Sequence, residues 1–152
     1  MKITKQMSSN NISTGNAGEY FVAGELERRG FTCAVPMSGT KDFDILVINR
    51  TTNNQYAIQV KTTIYKHKEW TLGIKNENLI DDNIFYVFVS LNELDVPEYH
   101  IVPSNVVAQS IKESHQAWLN TPGRKGQQHN DNPVRKFSDK NDEYLNRWDL
   151  LK

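Results

Sequence analysis

The sequence predicts an α/β fold, with helices packed around a mixed β-sheet. Three patterns point to it. "NAGEYFVAGELERR" places apolar residues at helical spacing. "FDILVIN" and "YAIQVKTT" are β-rich runs joined by the polar turn "RTTNNQ", so residues 43–63 read as a hairpin. "IFYVFVSL" is an apolar run of strand length, as expected for a strand buried on both faces. Helix, hairpin, strands and a further helix, in that order, fit a layered α/β sandwich.

Each element has a local reason. Residues 1–12 are polar and are expected to be flexible. Ser13 or Thr14 is the expected cap of the first helix, and Gly30 its left-handed stop after Arg28 and Arg29. Phe31 to Val35 reads as a short extended piece ended by Pro36, and "MSGTKD" as a loop. Residues 65–83 are polar, with "WTLGIK" a candidate strand. "YHIV" is a short strand before Pro103. Ser104 is expected to cap the helix "NVVAQSIKESHQAWL". "NTPGRKGQQHNDNP" is a loop by its Gly, Pro and Asn content. Tyr144, Leu145, Trp148 and Leu151 stand at helical spacing and predict a tail that docks on the body. The division is one domain over 1–152, with a core at 14–103 and a C-terminal helix, loop and docked tail at 104–152.

Bulk composition narrows the class. A chain of 152 residues can bury one real core. Its net charge of zero counts against a protein living on general phosphate contacts, but leaves room for a local basic groove. Cys33 is the one cysteine, so no internal disulfide forms and a reducing compartment suits it. No apolar run is long enough to span a bilayer, and the first residues lack a signal-peptide core. A soluble, cytoplasmic protein with no membrane partner is expected. His67, His100, His115 and His129 show no zinc spacing, and no P-loop or G-x-S-x-G is present.

The chemistry concentrates on the hairpin. Side chains alternate across a strand, so Tyr56, Ile58 and Val60 share one face and Ala57, Gln59 and Lys61 the other. Asp44 lies among residues that want burial, where an unpaired carboxylate is costly. If Arg50 faces Gln55, then Asp44 faces Lys61, and Asp44, Gln59 and Lys61 converge at the end away from the turn. A half-buried ion pair and a functional site both fit these three residues. Glu19 adds weight to the site, because it shares a helical stripe with Val22, Ala23 and Leu26 and so points along the buried face. Glu25 and Glu27 fall off that stripe.

A helix bearing Glu19, a strand bearing Asp44 in "DFDILV" and a strand bearing "IQVK" together resemble the PD-(D/E)XK nuclease superfamily. The resemblance covers roughly residues 14 to 103. Gln59 stands where the family carries an acid, a Q-x-K form similar to Mrr-type restriction enzymes. Phe43 replaces the proline of the motif. "YHIVPSNVV" also resembles the segment after the core in small bacterial nuclease-like proteins. The resemblance implies a restriction-endonuclease-like core and metal-dependent cleavage of DNA, with Glu19, Asp44, Gln59 and Lys61 as site residues. Asp44, Gln59, Glu19 and the Val60 carbonyl would hold Mg²⁺ or Mn²⁺, hard cations that take oxygen ligands. Lys61 would orient water and stabilise developing charge. Lys66, Lys68, Arg124 and Lys125 are the expected phosphate contacts, the last two helped by backbone amides of a glycine-rich loop. The rival expectations are an inactive or weak nucleic-acid-binding module on the same fold, and a homo-oligomer or subunit of a larger complex using the aromatics of the tail.

Overall fold

The computed structural model describes residues 11–36 and 43–152. The expectations for the N-terminal segment and for the loop at 37–42 lie outside the described residues. Helix α1 spans Asn11–Arg28. Ser13 and Thr14 therefore lie inside the helix rather than capping it. Its end is as expected: Gly30 takes φ +98°, a conformation open to glycine, and its N–H donates to the Glu27 carbonyl at 3.2 Å.

Strand β1 (Phe31–Ala34) pairs antiparallel with β2 (Ile45–Asn49), which pairs antiparallel with β3 (Gln55–Thr63). The hairpin register differs from the expected one. Ile48, not Arg50, faces Gln55. The turn is wider because Asn49 organises it. Its side-chain oxygen accepts from the Thr51 N–H at 2.9 Å, and its own N–H donates to the Asn54 carbonyl at 2.9 Å. The register is thus displaced by two residues, and a displacement of two keeps every side chain on its face.

Strand β4 (Glu69–Gly73) leads into a 3-10 turn, Ile74–Asn78. Strand β5 (Ile84–Ser90) runs parallel to β3, and β6 (Glu98–Pro103) antiparallel to β5. The result is a mixed five-stranded sheet of order β1-β2-β3-β5-β6. Helix α2 (Ser104–Asn120) follows, and then β7 (Val134–Ser138), which pairs with β4 as a separate ribbon. The sequence pattern gave no sign of β7. Ser104 does not cap α2: its hydroxyl donates to the Asp81 carbonyl at 2.7 Å and accepts from the Asp81 N–H at 2.9 Å, tying α2 to the loop before β5.

The sheet is buried on both faces. On one, Val22 and Leu26 of α1 pack on Ile45, Val47, Ile58, Val60, Val87 and Ile101. On the other, Val107 and Ile111 of α2, with Trp70, Leu72 and Phe137 of the ribbon, cover Tyr86, Phe88 and Val102. The cover on this second face stops short of β2, where Leu46 and Ile48 are 44% and 40% exposed. The last segment docks on the α1 face through Trp148 and Leu151. It does so with a bridge between Leu145 and His100 and a 3-10 turn at Trp148–Leu150, not as an α-helix. The tail aromatics are therefore not an exposed interface: Trp148 is buried and Tyr144 packs against the α2-side core.

Candidate active site

Strand β3 runs past the start of β2, and this mismatch creates the site. Asp44 stands one residue before β2, with its N–H donating to the Ile58 carbonyl at 2.8 Å. Continuing the register puts Asp44 opposite Gln59, rather than opposite Lys61 as expected. Beyond it, no described strand pairs with β3 on that edge. The Asp44 side chain takes up the role, because Oδ2 accepts from the Val60 N–H at 2.7 Å. Backbone groups of successive residues point to opposite edges of a strand. The Ala57 N–H donates to the Asn83 carbonyl on the β5 side, so the Val60 N–H and C=O both point to the Asp44 edge.

Gln59 and Lys61 lie on the α2 face of β3, beside Tyr86 and Phe88 of β5. Here the covered part of that face meets the open part over β2, so both side chains are half-buried. Burial lowers the pKa of Lys61; Asp44 opposes this and Lys75 adds to it. The Gln59 amide makes no hydrogen bond to the described residues. Glu19 approaches from the α1 face. Its carboxyl is raised above the usual range, first by burial and then by the neighbouring Asp44 charge. Gly18 makes this approach feasible, because a Cβ there would overlap the Thr62 hydroxyl of β3. The structure thus brings Asp44, Gln59 and Lys61 to one stretch of strand edge, with Glu19 within electrostatic reach of Asp44.

The candidate oxygen donors are the Asp44 and Glu19 carboxylates, the Gln59 amide and the Val60 carbonyl. An all-oxygen set fits Mg²⁺ or Mn²⁺, which keep several waters. Among the described residues, no group of three or more His, Cys, Asp and Glu could hold a metal ion. A cation here would rest on two carboxylates and neutral oxygens.

The four expected phosphate contacts lie on two loops, one after β3 and one after α2. Lys68 is committed to an ion pair with Asp142. Lys66 is exposed on the loop leaving β3. Arg124 and Lys125 are exposed after α2, on a loop that bonds partly to itself: the Lys125 N–H donates to Gln127 Oε1 at 2.9 Å and the Gly123 N–H to the Gln127 carbonyl at 2.8 Å. Sequence reasoning missed Lys75. It lies on the 3-10 turn, which is fastened over β5 by Asn76 Nδ2 donating to the Tyr86 hydroxyl at 2.8 Å. Tyr86 is the neighbour of Gln59, so the turn puts Lys75 near Lys61. The polar pattern of "IKNEN" does not encode that anchor.

A five-stranded mixed sheet with a helix on each face and the Asp44 edge at its centre defines a restriction-endonuclease-like fold. Two solved structures share it. One is Hjc, a Holliday junction resolvase from the archaeal hyperthermophile Archaeoglobus fulgidus. It has a TM-score of 0.50 and 13% identity, over 82% of this chain and 84% of that one. The other is a bacterial homing endonuclease, with a TM-score of 0.55 and 12% identity, over 93% of this chain and 90% of that one. No protein-family model and no curated protein matches the sequence. No described helix is long and apolar enough to cross a membrane.

Proposed function

We propose that the protein is a metal-dependent DNA endonuclease acting at Asp44, Gln59, Lys61 and Glu19. The observation that carries this reading is the Asp44 carboxylate held by the Val60 N–H at the open edge of β3, beside a half-buried lysine. An ordinary surface ion pair would not need a strand edge left for it. A bound Mg²⁺ or Mn²⁺ would polarise a phosphoryl oxygen and activate water. Asp44, Glu19, Gln59 and the Val60 carbonyl would hold it. Lys61 orients the attacking water and stabilises charge developing on the phosphate, and the half-buried setting strengthens that interaction. Gln59 makes the site a Q-x-K variant, similar to Mrr-type enzymes. One solved neighbour is by name a Holliday junction resolvase and the other a homing endonuclease, which favours DNA as the substrate.

A second reading keeps the DNA and loses the cutting. Gln59 favours it, because a neutral ligand leaves the site with two carboxylates and a weaker hold on a cation. A cleavage assay with Mg²⁺ or Mn²⁺ on duplex, single-stranded and branched DNA decides between them. Cleavage that Asp44→Ala reduces by at least about a hundredfold supports the enzyme. Binding without cleavage of any form supports the module.

A further inference from the structure

Immediately beyond Lys61, strand β3 ends in the loop "IYKHK", residues 64–68. Its conformation is held by contacts with β3, β5 and the turn after β5. The Thr63 hydroxyl lies 3.1 Å from His67 Nε2, the Ser90 hydroxyl donates to the His67 carbonyl at 2.7 Å, and the Glu93 N–H donates to the Ile64 carbonyl at 2.8 Å. Thr63 and Ser90 share the sheet face of Gln59 and Lys61, so His67 is drawn to the end of that face. Tyr65 stacks on His67, with ring centroids 6.1 Å apart and planes 29° from parallel, yet is 58% exposed. Tyr65 and His67 thus present an exposed aromatic pair beyond the end of the strand that carries Lys61. Lys66, between Tyr65 and His67 in sequence, is exposed and makes no ion pair with a described residue.

We infer that Tyr65 and His67 form a stacking platform for an unpaired base next to the phosphate held at Lys61. The inference deepens the nuclease reading and rests on it for the position of that phosphate. The reach allows a neighbouring nucleotide: the four residue steps from Lys61 to Tyr65 span at most about 14 Å. Every base has a π-face, so an aromatic platform accepts any of them, but only when the base is free of its duplex partner. Lys66 supplies the cation that such a platform commonly has beside it, for the sugar–phosphate chain. The preferred substrate is DNA with a single-stranded or splayed segment at the cut, rather than a continuous duplex.

The test is binding in EDTA, where no cleavage takes place, to oligonucleotides carrying 2-aminopurine in a single-stranded tract or within a continuous duplex. The wild type should quench the single-stranded probe and bind it more tightly than the duplex. Tyr65→Ala should abolish the quench and weaken single-strand binding roughly tenfold or more, with duplex binding unchanged; Tyr65→Phe should keep both. Equal single-strand binding and quenching by the wild type and Tyr65→Ala would overturn the inference. So would equal losses on both probes, or no binding of the single-stranded probe by the wild type. Because the readout needs no metal, a Tyr65-dependent quench in a protein that cleaves nothing would sink the nuclease reading and leave the platform standing.

Discussion

Gln59 is the residue that most separates this site from one built on three acids. Its amide oxygen is hard but neutral, and it makes no hydrogen bond to the described residues. If it contacts the cation, Gln59→Glu adds a negative ligand, and Mn²⁺ affinity should rise roughly tenfold by calorimetry without DNA. Unchanged affinity would make Gln59 a bystander. Asp44 and Lys61 were readable in the sequence, because a carboxylate in "FDILVI" and a lysine in "IQVK" contradict the burial of their neighbours. Lys75 was not readable, since its place depends on Asn76 finding Tyr86. Nor was the buried pair in which His100 Nδ1 lies 2.6 Å from Asp139 Oδ2, which joins residues 39 positions apart. Cys33 is half-buried; burial first, then the Glu27 carboxylate, pushes its thiol up to about 11, so it is a poor nucleophile at neutral pH.

At the level of elements, α1 shows how a fold positions a side chain. Gly18 and Gly24 are both helical glycines, but their surroundings differ. A Cβ at Gly24 meets nothing within 4 Å, whereas at Gly18 it would overlap Thr62. Gly24→Ala should therefore stabilise by up to about 1 kcal/mol, the gain in helix propensity. Gly18→Ala should destabilise by roughly 1–3 kcal/mol, because overpacking outweighs that gain. It should also slow cleavage by moving Glu19. Urea melts of the two variants check the signs, and stabilisation by both would mean that α1 lies looser on β3 than described. The strands that the sequence marks most clearly, β2, β3 and β5, carry long apolar or alternating runs. Strand β7 is only "VRKFS", with Arg135 bonded to Glu77 and Lys136 paired with Glu69, and its partner β4 lies more than sixty residues back. Nothing local marks such a strand. The Ser104 cap failed for a similar reason, as a distant loop captured the hydroxyl.

Across the whole molecule, the last described segment seals the α1 side of the core. Trp148 packs on Tyr99 at a centroid distance of 5.5 Å and carries the Arg29 guanidinium 4.9 Å above its ring. Asn49 Nδ2 donates to the Leu151 carbonyl at 3.2 Å, and Asn54 Nδ2 to the Lys152 carbonyl at 2.7 Å, tying the segment to the hairpin turn. Trp148→Ala should cost about 3–5 kcal/mol of stability in urea denaturation, as expected for a buried tryptophan. A loss under about 1 kcal/mol would show that the segment contributes little. The hairpin of the site and this segment brace each other, so such a variant should also lose activity on warming before the wild type does.

Whether Asp44 and Lys61 act as one site is measured most directly by a double-mutant comparison of single-turnover DNA cleavage in Mn²⁺. Residues that work as a unit are strongly non-additive. Asp44→Ala and Lys61→Ala should each slow cleavage by at least about a hundredfold, and the double variant should be no slower than the worse single one. Wild-type rates in either single variant, or losses that multiply in the double, would contradict a shared site at the open edge of β3.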